Sequence, residues 1–216
     1  MSPKQQRGAE TAQRLLDAAL AVHEEGGSEQ FTVQAISAAS GVSLGSLYHH
    51  FGSADGLAAA LYSRCMVALL EAVAAPLVTA RTARAGVRAI AAAYLTFVAE
   101  QPAAARFIHA SSASGYLAAH AETVATAKKP AIEPIFEWAR PHVRAGRIVD
   151  LPEALLEMLI IGPVAETARR YLAGVPGLDL DEAIRVLPDR IWQSVRVSAE
   201  PPPESEPDPE PELSHP

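Results

Sequence analysis

The chain has 216 residues, with 18 Lys and Arg against 25 Asp and Glu and a formal net charge of −7. Its 49% hydrophobic content includes only 6% aromatic residues, an alanine- and leucine-rich mixture that favours helices. A single cysteine, Cys65, excludes an internal disulfide and any multi-cysteine metal site. No run of alternating apolar and polar residues marks a strand, so the fold class is read as all-α.

The N-terminus, Met1 to Arg7, is charged but has no apolar segment after it, so it does not read as a signal peptide. Ala9 to Glu25 reads as the first helix, with Leu15, Ala18, Ala19 and Val22 on one stripe and Gly26-Gly27 stopping it. Lys4, Arg7 and Arg14 gather at its start. They are either a solvated terminus or contacts to a nucleic-acid backbone, and the second is favoured because Lys and Arg supply most non-specific affinity for DNA. Electrostatics cut the other way: residues 1–55 hold 3 basic and 6 acidic side chains. Three of the acids, Glu24, Glu25 and Glu29, cluster at the far end of the first helix.

From Thr32 to Phe51 the sequence TVQAISAASGVSLGSLYHHF reads as two short helices around a tight turn. Thr32 and Ser43 are each suited to cap a helix, since the opening N–H groups lack intrahelical partners. Val33, Ile36 and Ala39 form an apolar face, Gly41 suits a left-handed helix end, and Val42 points inward. Leu47 and Phe51 lie four apart and pack on Ile36. The pattern fits a helix-turn-helix, whose second helix enters the major groove, and it equally fits a hairpin that only packs. Periodicity alone does not decide between them.

The motifs Gly41-Val42-Ser43, Leu47-Tyr48-His49-His50-Phe51 and Ser53-x-Asp55-x-Leu57 resemble the signature of the TetR family of bacterial transcriptional regulators. The match runs from about Thr11 to Leu61; beyond it the likeness is one of length, helicity and helix order. The chain departs from the family at Ala54, where a phosphate-contacting lysine is usual. The resemblance implies a homodimer that binds palindromic double-stranded operator DNA as a repressor and is released by a small-molecule effector. It also implies that Gln34, Gly45, Tyr48 and His49 face base edges or the groove, that Thr32, Ser43, Ser46 and His50 lie beside phosphates, and that Leu44 belongs to the same surface.

Beyond the motif, Asp55 to about Leu70 reads as a connecting helix packed through Leu57, Leu61, Val67 and Leu69, and as the one element that touches both halves of the chain. Val87, Ile90, Ala91, Tyr94 and Val98 form a helical stripe that ends at Gln101-Pro102. Phe107-Ile108 belong to a short helix and Ser111 to Gly115 to a loop. Leu117 to Ala127 is a weaker helix. Pro130 to Arg144 is helical but kinked or segmented by Pro134 and Pro141, with Phe136 and Trp138 on different faces. Asp150 is expected to cap a helix from Pro152 to Tyr171 carrying Leu155, Leu156, Leu159, Ile160 and Val164, with a kink at Pro163. Asp179 with Glu182 opens the last helix, built on Ile184, Leu187, Ile191 and Val195. These two final helices either close the core or form a subunit interface. Glu200 to Pro216, with 6 acids and 7 prolines, is expected to be disordered.

The expected domains are therefore 1–53 for DNA binding, 54–198 for ligand binding and dimerisation, and 199–216 as an acidic tail. Tyr94, Phe97, Phe107, His109, Tyr116, His120, Phe136 and Trp138 are the candidate effector-binding set, because apolar-lined cavities with few polar groups are the usual small-molecule site. No HExxH pair, GxSxG elbow or phosphate loop occurs, so neither catalysis, nor a metal, nor a cofactor is expected. No apolar run approaches the ~20 residues of a membrane span, and the expected location is the cytoplasm. The alternative reading is an all-α carrier protein whose N-terminal hairpin is only structural.

Overall fold

The structure, a computed structural model, describes residues 3–111 and 115–198, with side chains from residue 5 onward. The expectations for the Lys4 side chain, for Ser112 to Ser114 and for the acidic tail fall outside the described residues. Those residues form ten α-helices and no strand: α1 (Pro3–Gln30), α2 (Val33–Ser40), α3 (Leu44–Phe51), α4 (Ala54–Ala74), α5 (Ala83–Glu100), α6 (Pro102–Ser111), α7 (Gly115–Ala119), α8 (Ala121–Arg144), α9 (Glu153–Leu172) and α10 (Leu180–Val195). A short 3₁₀ turn, Ala75–Val78, prolongs α4. The fold class is all-α.

α1 begins earlier than its apolar stripe suggests, and it breaks where the two glycines stand. Gly27 has φ 62°, ψ −158°, and one further turn carries the chain to Gln30. Leu15, Ala19 and Val22 are buried, and they cover α2 and α3. α4 holds the two halves together. Leu57, Leu61, Cys65, Leu69 and Val73 recur every fourth residue and all are buried. α8 and α5 cover α4 along most of its length, while α3 and α1 meet its beginning. By length and composition the span Ala54–Val78, of mean hydropathy 1.6, is the one helix among the described residues that could cross a membrane. That corrects the expectation of no such run: Glu71 lies too close to the end to interrupt it. Here this span is a core helix.

α5 buries Val87, Ile90, Ala91, Tyr94 and Val98 as its stripe requires, and packs most extensively on α10. Asp179 caps α10 by accepting a hydrogen bond from the Glu182 N–H at 2.8 Å. Asp189, midway along α10, receives Arg84 and Arg88 of α5 at 3.1 Å each.

Three sequence expectations are corrected in the second half. Leu117 to Ala119 belong to α7, and Ala121 to Arg144, expected as parts of two helices, are one continuous helix, α8, with Pro130, Pro134 and Pro141 inside it. All three prolines lie on the exposed side, where water can satisfy the carbonyls that lose an N–H partner. Asp150 does not cap α9; Pro152 occupies the N-cap position, with no side-chain cap. α9 runs through Pro163, again exposed, as one helix. Of its five grouped residues, Leu156, Ile160 and Val164 are buried, while Leu155 and Leu159 face outward.

Trp138 of α8 is wedged against α5. A Cβ on Gly86 would stand 1.9 Å from the indole ring, and the indole N–H donates to the Ala80 carbonyl at 3.3 Å. Gly86→Ala must therefore push the indole out of its slot. An overpacking loss of about 1–3 kcal/mol is expected, read as a lowered urea midpoint together with a red-shifted tryptophan emission.

Candidate nucleic-acid interface and ligand cavity

The α2–α3 unit is built by local hydrogen bonds that the sequence dictates. Thr32 Oγ1 accepts from the Ala35 N–H at 3.2 Å and Ser43 Oγ from the Ser46 N–H at 3.3 Å, so both helices start on a capping hydroxyl. Gly41 ends α2 at φ 65°, ψ 19°, the left-handed conformation that a Cβ disfavours. Ser37 Oγ donates to the Val42 carbonyl at 2.6 Å, and Ser40 Oγ accepts from the Val42 N–H at 3.2 Å. Arg14, read as a candidate phosphate contact, reaches across from α1 to the Ser40 carbonyl at 2.8 Å and so braces the turn. Ile36, Val42 and Leu47 are buried beneath it; Ala39 is exposed, not part of the apolar face, and its place is taken by half-buried Ala35.

What remains outside is a continuous face. Thr32, Gln34, Ser43, Leu44, Gly45, Tyr48 and His49 are exposed, and Ser46 and His50 half-buried. Leu44 and Tyr48, four apart on α3, are 37% and 46% exposed, an apolar pair presented at the surface. A Cβ on Gly45 would meet nothing within 4 Å, so the protein itself does not require glycine there. The Ser43 oxygen accepts from the backbone while its O–H remains available to donate outward. The face carries no Lys or Arg.

Four of the five acids of α1 are placed away from this face; Glu10 stands near the start of the helix, where Gly8 lies against His50. Asp17 pairs with Arg64 of α4 at 2.6 Å, and Arg64 also donates to the Leu16 carbonyl at 3.0 Å. Glu24, Glu25 and Glu29 sit at the opposite end of α1 from Arg14.

A cavity of about 290 Å³ lies between α4, α5, α8 and α9. Three helical stripes converge on it: Tyr62, Met66, Leu69, Leu70 and Val73 of α4; Ile132, Ile135, Phe136 and Ala139 of α8; Leu156, Ile160 and Ile161 of α9. Ile90 and Tyr94 of α5 close one side, and Lys128, Glu153 and Glu157 supply the charged groups. Of the candidate effector-binding residues, Tyr94, Phe136 and Trp138 line it. Phe136 and Trp138 therefore share a cavity, contrary to the expectation of separate faces: Trp138 stands three residues beyond Ile135, and its long ring reaches the space from the edge of the stripe. Phe97 is buried in the core. Phe107 stacks on His23 at 4.9 Å and Phe31 at 5.5 Å. Tyr116 donates its hydroxyl hydrogen bond to Ser111 Oγ. His120 stands at the α7–α8 junction, and His109 lines a separate cleft between α1, α6 and α9. The two histidines do not share a cavity. The α4 stripe and the Ile132-Ile135-Phe136-Ala139 spacing are the sequence signals that identify the cavity walls.

Tyr94 connects the cavity to α6. Its hydroxyl lies 3.4 Å from His109 Nε2, and burial pushes its pKa up to about 12, so it stays protonated. Burial likewise raises Cys65 to about 11, which keeps it an unreactive core thiol. His23, 8% exposed, has no hydrogen-bond partner for Nδ1, and burial holds its pKa below the ordinary range. His109 is lowered chiefly by burial and further by Arg169, against a smaller opposite pull from Glu166.

Residues 15–61 match the family model described as bacterial regulatory proteins, tetR family. No curated protein matches the chain. Among solved structures it is similar to a TetR family transcription regulator from Marinobacter aquaeolei VT8, with a TM-score of 0.72 at 19% identity over 89% of this chain and 98% of that one. A putative TetR family transcription regulator from Shewanella sp. PV-4 gives 0.72 at 19% identity, over 87% and 99%. The transcriptional regulator FadR from Bacillus subtilis, in complex with stearoyl-CoA, gives 0.67 at 17% identity, over 85% and 99%. At these identities the likeness is one of fold.

A folded-state pKa below the unfolded one means the unfolded chain binds more protons, so stability falls as pH drops through the ordinary histidine value of about 6.5. His23 and His109 both act in this direction. The urea midpoint is expected to fall between pH 7.5 and 5.5. His23→Phe, which keeps a ring against Phe31 and Phe107, should flatten that fall, and an unchanged pH profile in the variant would exclude His23 as its source.

Proposed function

We propose that the chain, whose residues 15–61 match the tetR family model, is a ligand-responsive repressor of that family, binding operator DNA as a homodimer. The observation that carries this is the exposed face of α3 and the start of α2. It is held rigid by two capped helices, presented at the surface, and lined with hydrogen-bonding and small residues. Residues 1–53 act as the DNA-binding unit and residues 54–198 as the effector and dimerisation unit. Gln34, Gly45, Tyr48 and His49 reach base edges, with Leu44 in the groove; Thr32, Ser43, Ser46 and His50 sit at phosphates. Phosphate contacts fix register and base contacts specify.

The dimer surface is the outer face of α9. Leu155, Met158, Leu159 and Gly162 follow one helical stripe there, and Met158 is 68% exposed. A Cβ on Gly162 would meet nothing within 4 Å, which leaves room for a partner helix. With few basic residues near DNA, much of the affinity rests on joining two half-sites, which must stand about 34–36 Å apart or a multiple of that.

The effector occupies the cavity with an apolar body against Met66, Phe136, Trp138 and Ile160, and turns any polar end toward Lys128, Glu153 and Glu157. An apolar chain such as that of the stearoyl-CoA bound by the Bacillus relative suits this lining in kind; a volume near 290 Å³ favours a smaller molecule. Two elements connect the cavity to the DNA-binding unit. α4 does so through Arg64 and Asp17. α6 does so through Tyr94 to His109 and through Phe107 to His23 and Phe31. The expectation that α4 alone touches both halves is thereby corrected, since α6 packs on α1.

A band shift with the DNA upstream of the protein's own gene tests this reading against that of a carrier protein; a purified dimer that leaves such DNA unshifted overturns it. Gln34→Ala is expected to relax specificity at one base pair by ~1–3 kcal/mol. Gly45→Ala should fold normally yet weaken every operator, because its new methyl points into open space now available to DNA. Leu155→Arg with Leu159→Arg should give a helical monomer by analytical ultracentrifugation, with operator affinity reduced more than tenfold. An effector should quench Trp138 fluorescence and release DNA, and Tyr94→Phe should keep DNA binding while altering that response.

A further inference from the structure

A second recessed site lies apart from the apolar cavity. It is a cleft of about 330 Å³ where the C-terminal end of α1 meets α6 and α9. Its polar walls are His23 and Ser28 from α1, Arg106 and His109 from α6, and Arg169 from α9; no carboxylate lines it. Arg106 is exposed and makes no hydrogen bond or ion pair with any described residue. Arg169 is held from behind by Glu166, which takes its Nε and Nη2 donors at 2.7 Å each. That grip fixes the guanidinium plane and leaves Nη1 uncommitted. His23 also lines it, 8% exposed, and its buried Nδ1 finds no hydrogen-bond partner among the described residues.

Two guanidiniums, one of them ion-paired with Glu166, the His23 imidazole and the Ser28 hydroxyl line the cleft, a set of donors suited to a tetrahedral oxyanion. DNA is not its source. Arg14, which touches the helix-turn-helix, stands nine residues before His23, about 14 Å along α1 at 1.5 Å per residue. The cleft therefore lies at the end of α1 remote from the exposed face of α3.

We propose that this cleft binds a phosphate-type oxyanion, either free phosphate or the phosphate group of a small metabolite, and clamps α1 to α6 and α9. The position gives the anion leverage on the DNA-binding unit, because α1 belongs to that unit while α6 and α9 belong to the rest. A ligand that joins the three helices favours whichever arrangement brings them together. The site is separate from the effector cavity, although His109 of its wall meets the Tyr94 hydroxyl that borders that cavity.

The test uses the full chain. Inorganic phosphate and glycerol 2-phosphate are titrated against sodium chloride of matched ionic strength, with calorimetry and the His23 ring proton resonances as readouts. Saturable binding with a shift at His23 is expected. Arg106→Gln should weaken it about tenfold or more, the worth of one charge-assisted hydrogen bond, while Arg84→Gln, at the α5–α10 ion pairs, should leave it unchanged. Tighter binding of the ester assigns the cleft to a phosphorylated metabolite, and equal or weaker binding assigns it to free phosphate. Linear, non-saturating behaviour for both anions, or equal binding by the Arg106→Gln protein, overturns the proposal. Arg106 is exposed, so its loss should not unfold the chain; unchanged thermal denaturation in chloride confirms that the comparison is fair.

Discussion

The fold depends on α4 being covered on every side by different partners. Its stripe from Leu57 to Val73 is apolar enough that it must be buried, at roughly 1.5–3 kcal/mol for each large side chain removed from water. No single helix can cover α4 on more than one side. α1 and α3 take the first turns, and α5 and α8 take the rest. Because 21 residues span about 31 Å, α4 reaches from the helix-turn-helix to the far end of the larger unit. The junction at its start is tight: a Cβ on Gly56 would stand 2.0 Å from the Phe51 carbonyl. α3 and α4 are thus set against one another by backbone contact, and a rotation of α4 must carry α3 with it.

Incomplete coverage has a consequence. Where α8 and α9 arch over the second half of α4, the three stripes do not interlock, and the cavity is the remainder. α8 is suited to such an arch because its prolines all lie outside; the wall facing the cavity is continuous helix with Ile132, Ile135, Phe136 and Ala139 at three- and four-residue spacing. Interiors normally close-pack, so a gap of about 290 Å³ lined by intact side chains is a feature the sequence sustains.

How much of this could be read beforehand varied with the range of the interaction. Thr32, Ser43 and Asp179 were legible as caps, and Gly41 as a helix end, because each acts within a few residues of itself. The burial of Val87, Ile90 and Tyr94 followed from period alone. Asp150 failed as a cap because Pro152, two residues later, already sets the entry to α9. The prolines of α8 misled because a proline's cost depends on whether its side of the helix is wet, which is a tertiary fact. Aromatic content also could not separate Phe107, which stacks in the α1–α6 contact, from Phe136, which faces open space; the chemistry is the same and only the neighbours differ. His23 and Arg106 form a pair that no spacing reveals, 83 residues apart and joined only by the cleft.

The placement of four of its six acids removes much of the conflict between the acidic N-terminal unit and the proposed DNA binding. Asp17 is committed to Arg64, and the three glutamates stand at the end of α1 remote from the α3 face. Their repulsion of a duplex is screened over about 10 Å at ordinary salt, so it weakens long-range attraction more than the contact itself. A binder of this kind gains little from neutralising phosphates and depends on geometry, on two rigid faces held at the right separation. That dependence makes regulation inexpensive. A coupling of 1–3 kcal/mol is the usual scale between two sites, and here it has only to tilt α4 or shift α6 against α1. Tyr94 stands at the branch point, with its ring in the cavity and its hydroxyl on His109. On the proposed reading, a ligand that moves the ring would disturb α6 directly and α4 by contact, and both routes lead to α1.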